Sequence, residues 1–455
     1  LSSSIARANS LQWKPIDLDL APDELAALWP VCTGFALLES TLSNADSWSV
    51  VAAFPTEIRC DRLPDWSPQE IAPRTDEAPF ATGWIGYLAY ESAPLFNPVL
   101  TTRAPYGHLP QTWWGRYDAA LSFRHVDQTW QLGYRDNPDS RQAAARLLRT
   151  LRDVTAQPQA PVENKLLAND ERLQESRGVE LGTHEHAYHQ SIETVLDWIG
   201  QGHIYQANYT YPMVARFEAG PRNLYRRLRV TNPAPYGAFL QTSREVAILS
   251  SSPEQFLRID GRRIQTRPIK GTEARHADPE RDRQLATSLL ESEKDRAELT
   301  MIVDLERNDL GRVCEFGTVE THPFPVVESY QSVHHLVATV EGRLRKDVCF
   351  RDILAATFPG GSITGAPKVR AMEIIAELES RPRFIYTGAL GYLDDRGTAE
   401  LALTIRTLWT EGDRVHFDVG GGIVADSTAE SEWEETHQKA AGMRRAIESL
   451  GWPSH

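Results

Sequence analysis

The residues of this 455-residue chain whose types and spacing could do chemistry are two carboxylate pairs, a lysine and two glycine-rich turns. Asp295/Glu298 and Glu432/Glu435 are spaced i, i+3, so each pair shares one side of a helix. Two such pairs facing each other make an oxygen-only site that suits Mg2+, a hard ion that keeps several waters. Taken alone, each acidic segment also reads as a solvated helix face. Lys270 ends a strand pattern in Thr266-Arg-Pro-Ile-Lys-Gly-Thr272. Most lysines face water, but an amine buried beside other cations is a usable nucleophile. Glu254, sixteen residues earlier on a neighbouring strand, is placed to act as acid and base.

Gly360-Gly-Ser-Ile-Thr-Gly365-Ala-Pro-Lys368 precedes a helix pattern, where bare N–H groups attract anions. A phosphate loop needs Lys-Ser/Thr directly after its last glycine. Here Ala366-Pro367 intervene, so the turn is read as an anion site for something other than a nucleotide. Gly420-Gly421-Gly422 sits where an alternating strand ends. It reads either as a hinge or as a wall of N–H donors against which a carboxylate can lie. His184, His186 and His189 fall in the first turn of a surface helix, without nearby cysteine or a zinc-like spacing, and are read as solvated. His334-His335 runs into Leu336-Val337, which buries it; a satisfied core histidine and a functional one both fit.

The elements that must position these groups alternate between β and α. Strands are expected at 48–54, 80–90 and 119–126, with a helix from about 140 to 154. A Pro-, Gln- and charge-rich stretch at 156–178 reads as a linker between a region 1–155 and a larger unit 179–455. In that unit Thr183 is expected to cap a helix that runs through Ile199 to Gly200. Strands are expected at 245–249, 256–259 and 262–267. A helix is expected over 366–378, with Pro367 in its first turn and Ala371, Ile374, Ile375 and Leu378 on its apolar face. A glutamate-rich helix begins at about Ala429. The class is mixed α and β.

Charge and composition bound the partners. Lys and Arg total 48 against 62 Asp and Glu, a net −14, which disfavours duplex nucleic acid and anionic membrane. A 41% hydrophobic content with 12 Trp, 14 Tyr and 14 Phe supplies a large core and excludes global disorder. Cys32, Cys60, Cys314 and Cys349 lie far apart without a CxxC pair and read as reduced thiols. No apolar run approaches the roughly 18 residues of a membrane helix. The first residues lack a signal-peptide pattern, so a cytoplasmic location is expected.

Several segments carry a family pattern together: Pro268-Ile-Lys-Gly-Thr272, Ile302-Val-Asp-Leu305 with Arg307-Asn-Asp309, and Phe358 to Met372. Tyr386 to Tyr392, Thr404-Ile-Arg406-Thr and Gly420 to Ser427 complete it, and Leu37-Leu-Glu-Ser40 and Gly83-Trp-Ile-Gly86-Tyr87 are weaker landmarks. The chain resembles the chorismate-utilising enzymes, continuously from about Tyr188 to Lys439, and within them the aminodeoxychorismate synthases. The resemblance implies an α+β fold like that of anthranilate synthase component I, a β-sandwich of two large sheets with helices packed outside. It implies conversion of chorismate and ammonia to 4-amino-4-deoxychorismate, with Mg2+ bound, on the way to 4-aminobenzoate and folate. Ammonia would come from glutamine through a separate amidotransferase partner.

Carried onto this sequence, the resemblance makes Glu298 and Glu435 direct Mg2+ ligands, with Asp295 and Glu432 holding its waters. Lys270 would be a covalent nucleophile, Glu254 the acid/base and His335 the active-site histidine. Thr364, Gly365, Tyr386, Arg406, Gly420, Gly421, Gly422 and Lys439 would bind substrate. Anthranilate synthases carry Ala at the Lys270 position and Thr-Leu-Ser where this chain has Ser362-Ile-Thr364. Anthranilate synthase, which releases pyruvate and anthranilate, is the nearest alternative. A non-catalytic protein that binds an aromatic amino acid is another. Glu39 and Ser40 match a tryptophan pocket of relatives, although Ser43-Asn-Ala-Asp-Ser47 departs from the usual basic flank.

Overall fold

The computed structural model describes residues 10–41, 47–70, 77–156, 179–322, 324–330 and 333–450. Among these, twelve strands form one sheet, nine a second and three a small third. The strand pairs that build them run antiparallel, as in Phe35–Glu39 against Tyr236–Gln241 and Gly83–Leu88 against Ala389–Asp394. Those two pairings join residues before 157 to residues after 178, so the early strands complete both large sheets.

Side chains one residue apart on a strand point to opposite faces, and this period decides the layers. On Phe35–Glu39, Ala36 and Leu38 enter the cluster between the sheets with Ile85, Tyr87, Trp113, Leu390 and Trp409. Phe35 and Leu37 point the other way, into the cluster under the outer helices. That cluster holds Leu147 and Leu151 of helix Pro138–Ala156, Tyr188 and Ile192 of Glu185–Gly200, and Met443 of Ala429–Glu448. On the far side, Leu299 and Val303 of helix Glu293–Gly311 pack with Ile353 of Phe350–Thr357 against the second sheet. Each such Leu or Ile contributes about 1.5–3 kcal/mol by leaving water. The result is the α+β sandwich with helices outside that the family pattern implies.

Four local expectations need correction. The 80–90 strand contracts to Gly83–Leu88, because the Asp394 carboxylate takes the Ala81 amide and the Phe384 carbonyl takes that of Tyr90. The helix after Thr183 starts at Glu185 with His184 as its N-cap, since the Gly182 amide is still bonded to Pro212. The helix expected from Ala366 starts at Lys368, because Ala366 is held in a short bridge to Gln206 and Pro367 becomes the N-cap. Gly420–Gly422 lie inside strand Arg414–Ile423 rather than beyond its end, since the neighbouring strand Gln206–Arg216 pairs with them as far as Ile423. The 156–178 linker begins at the last residue of helix Pro138–Ala156, and the remainder lies outside the described residues.

Candidate active site

The site forms where the end of strand Arg414–Ile423 meets the small three-stranded sheet and two acidic helices. Lys270, on strand Ile269–Ala274, has a side chain only 14% exposed, with its Nζ 3.8 Å from Glu298 Oε2 of helix Glu293–Gly311. A β-carbon added at Gly422 would stand 3.3 Å from that Nζ and 2.7 Å from Gln206 Nε2. The glycine therefore lets the strand backbone lie directly under the amine. Glu254, Glu298 and Glu435 all feel the Lys270 charge, and Arg406, Lys294 and Lys439 act on the same carboxylates.

Glu254 sits in the turn between strands Val246–Ser252 and Gln255–Asp260 and is buried. Ser362 Oγ, in the short turn after the glycine pair, donates to its Oε1 at 2.6 Å. Burial pushes the Glu254 carboxyl up to about 7, against the pull of Ser362, Lys270 and Arg406. A carboxyl poised there can both give and take a proton near neutral pH. His335, on Val333–Val337, shares a 2.9 Å hydrogen bond between its Nδ1 and the Thr272 hydroxyl. Burial, then the Arg406 charge, lowers it to about 4, so it works as a neutral imidazole. Its neighbour His334 is the satisfied core histidine, bonded to Ser329 and Asp282.

Arg406 holds a left-handed backbone, φ 50°, between strands Thr398–Leu403 and Thr407–Glu411. Strain of this kind costs about 1–3 kcal/mol and gathers at functional sites. Among the described residues its guanidinium makes no hydrogen bond or ion pair, so its donors are available to a ligand. Thr364 Oγ1 donates to the Gly360 carbonyl at 2.9 Å, and its own carbonyl accepts from Asn208. Gly365, at φ 139°, lies too close to the Gln206 carbonyl for any side chain. Tyr386 is buried among Arg383, Glu379 and Asp418, and no described contact ties it to Lys270.

The acidic pairs approach from two helices, as their spacing allows. Burial raises the Glu298 and Glu432 carboxyls. Burial also pushes Glu435 upward, but Lys439, Lys270 and Lys294 together hold it below its usual value. Lys439 pairs with Glu435 at 2.7 Å and donates to the Gly420 carbonyl at 3.0 Å. Ser427 fixes Glu432, whose Oε2 would be 2.7 Å from a β-carbon on Gly421. Asp295 accepts from Ser292 at 2.5 Å. Among the described residues no three acidic, His or Cys side chains stand close enough to enclose an ion by themselves. Two helices nonetheless offer oxygen donors already balanced by ammonium groups, Glu298 by Lys270 and Glu435 by Lys439. That donor set fits a hard divalent ion that takes its other ligands from water and substrate.

Glu39 and Ser40 lie far along the first sheet. The Glu39 carboxylate is buried, bonded by Arg229 at 3.0 Å and by the Tyr225 hydroxyl at 2.7 Å. Ser40 follows it, and residues 43–46 of the flank lie outside the described residues. Gln206 was not foreseen. Fully buried beside Gly422, its side-chain amide nitrogen and oxygen have no hydrogen-bond partner among the described residues. A glutamine opening a strand carries no chemical signal in sequence; the pairing of its strand with Arg414–Ile423 brings it beside Gly422 and hence Lys270.

The family described as chorismate binding enzymes matches residues 41–445 of the chain. Aminodeoxychorismate synthase component 1 of Salmonella typhimurium is 39% identical over 411 residues, covering 90% of this chain and 86% of that protein. Anthranilate synthase component 1 of Thermus thermophilus is 38% identical, covering 84% and 80%. The crystal structure of anthranilate synthase component I from Streptococcus pneumoniae superposes with a TM-score of 0.74 at 30% identity, over 88% of this chain and 93% of that one.

Proposed function

The chain belongs to the family of chorismate binding enzymes, and from that premise we propose that it is an aminodeoxychorismate synthase. The observation that carries this reading is the Lys270 amine, held over Gly422 and beside Glu298 in the centre of the site. The lysine nitrogen attacks C2 of chorismate while the 4-hydroxyl leaves, protonated by Glu254 and released as water. Ammonia then attacks C4, the bond from C2 to the lysine breaks, and Glu254 accepts the proton given up by nitrogen. Two displacements replace one difficult substitution. Glu254, raised by burial to about 7, feels the Lys270 charge and is the group placed to take a proton from its amine.

Arg406 meets a substrate carboxylate with its planar fork, and the backbone of Gly420–Gly422 and Gly365 bounds the pocket without side chains. Neutral His335, Thr364 and the orphaned Gln206 amide supply hydrogen bonds that need no charge compensation. Tyr386 and Lys439 are assigned, with Arg406, to gripping the carboxylates of the substrate. Glu298 and Glu435 would hold Mg2+, with Asp295 and Glu432 behind them. When bound, the ion neutralises the ring carboxylate of the substrate. Glutamine-derived ammonia would arrive from an amidotransferase subunit, and the product would feed synthesis of 4-aminobenzoate and folate. For the described residues, no helix is long and apolar enough to cross a membrane.

Purified protein incubated with chorismate, an ammonium salt and Mg2+ is expected to form aminodeoxychorismate, identified by mass spectrometry, and to stop when the metal is chelated. Lys270→Ala is expected to abolish a chorismate-derived mass adduct on the chain. Anthranilate and pyruvate as the main products would refute the assignment.

A further inference from the structure

Arg383 is only 2% exposed, and the mechanism above does not use it. It lies in the loop between helix Lys368–Leu378 and strand Ala389–Asp394. A guanidinium carries five N–H donors in a planar fork, and here each has an acceptor. Nε and one N–H of Nη2 meet the Glu379 carboxylate, at 2.9 and 2.6 Å, which balances the charge. The other three donors reach separate segments of the chain. Nη1 donates to the Ile363 carbonyl at 3.0 Å and to the Thr387 hydroxyl at 3.2 Å. Nη2 donates to the Asn208 carbonyl at 2.5 Å.

Each of those acceptors adjoins a group that the proposed reaction needs. Ile363 sits between Ser362, the hydroxyl donor to Glu254, and Thr364. Thr387 follows Tyr386 and donates to its carbonyl at 2.6 Å. Asn208 lies opposite Gly422, two residues beyond Gln206 on strand Gln206–Arg216. The Asn208 amide also donates to the Thr364 carbonyl at 2.8 Å, so guanidinium, turn and strand close a ring of hydrogen bonds. The arginine is fixed in turn by residues from early in the chain. Its own amide and that of Phe384 donate to Glu91, at 2.7 and 2.9 Å. The Tyr90 ring lies 4.5 Å from the guanidinium carbon. A buried ion pair by itself adds little net stability, and Glu379 needs only one cation. Holding three further acceptors in register is what a rigid fork does and an ammonium does not.

We propose that Arg383 is a positioning residue: its guanidinium clamps the Gly361–Ile363 turn against strand Gln206–Arg216, so that the Ser362 hydroxyl stays on the Glu254 carboxyl. It acts through the turn and not by contact with substrate. Ser362 donates at 2.6 Å, and a displacement of the turn by about 1 Å carries that pair out of hydrogen-bonding range. The inference rests on the acid/base role of Glu254, and its test separates the two.

That test is a double-mutant cycle in the full chain, read as consumption of chorismate with ammonium and Mg2+, whichever product forms. Ser362→Ala removes the hydroxyl; Arg383→Lys keeps a charge for Glu379 but loses the fork. Each is expected to lower kcat/KM about tenfold, the worth of one hydrogen bond to an ionisable group. Together they should lose little more than either alone, because both remove the same contact. Ser362 also draws the Glu254 carboxyl down against burial, so both variants should move its midpoint of about 7 upward relative to wild type. Lys270, Arg406 and Glu306, the other charged groups facing Glu254, are the same in all the proteins compared. Losses that multiply in the double variant, or a midpoint that Arg383→Lys leaves in place, would overturn the proposal alone. Wild-type kinetics in Ser362→Ala would overturn the acid/base reading of Glu254 and the clamp with it. Should Arg383→Lys fail to fold by circular dichroism, Glu379→Gln with Arg383→Gln removes the buried pair without stranding a charge, and the same cycle decides.

Discussion

Glu254→Gln offers a test of the site that does not depend on knowing its product. The substitution preserves the shape of a buried side chain and removes its titration. In the folded chain the Glu254 carboxyl stands at about 7, against 4.5 for the same group in the open chain, with burial the largest cause. A buried acid raised in this way binds its proton more tightly folded than unfolded. Its contribution to stability is complete below pH 4.5 and is lost as pH rises through about 7. At about 1.4 kcal/mol per pH unit, that interval amounts to about 3 kcal/mol. Urea unfolding of both proteins across the interval should therefore show the variant gaining on wild type by up to about 3 kcal/mol as pH rises. Glu91, also raised to about 7 by burial, is present in both proteins and cancels in the difference. The same variant should lose about a hundredfold or more in turnover, the usual worth of a positioned acid/base group. Parallel stability curves for the two proteins would refute the argument that Glu254 is a buried acid poised at neutrality.

Two further substitutions address the walls of the site. Gly422→Ala places a methyl group 2.7 Å from Gln206 Nε2 and 3.3 Å from Lys270 Nζ, so on the proposed mechanism displacement of the Lys270 amine should cost about a hundredfold in kcat/KM. Circular dichroism should show the fold unchanged; wild-type kinetics would refute the positioning of the Lys270 amine by Gly422. Lys368→Met strands the buried Asp309 carboxylate, now 2.6 Å from the ammonium, and should cost about 3–5 kcal/mol in urea unfolding. Adding Asp309→Asn should recover part of that loss, and a single-variant loss below about 1 kcal/mol would mean that the pair carries little weight.

Much of the site was legible because short-range spacing survives folding. Asp295/Glu298 and Glu432/Glu435 do lie on helices, because an i, i+3 interval means one helix side wherever the helix goes. Period-two patterning likewise marked the strands, and the family pattern supplied the sandwich they build. Strand ends were less legible. Whether Ala366 continues a strand or starts a helix depends on Gln206, which is 160 residues away in the chain.

The surroundings of Lys270 were not legible, for the same reason. Its sequence neighbours Arg267 and Thr272 suggested nothing about the carboxylates that surround its amine; those arrive on a helix and a turn from elsewhere in the chain. Gln206 carried no signal because an amide in a strand pattern is ordinarily solvated, and burial is a property of packing.

The net charge of −14 disfavours nucleic acid and anionic membrane as partners, and residue types with local spacing determined which groups could react. Only the tertiary structure decided which of them meet and at what proton affinity. Burial and distant charges, such as those that move Glu254 to about 7 and His335 to about 4, are set by segments far apart in sequence.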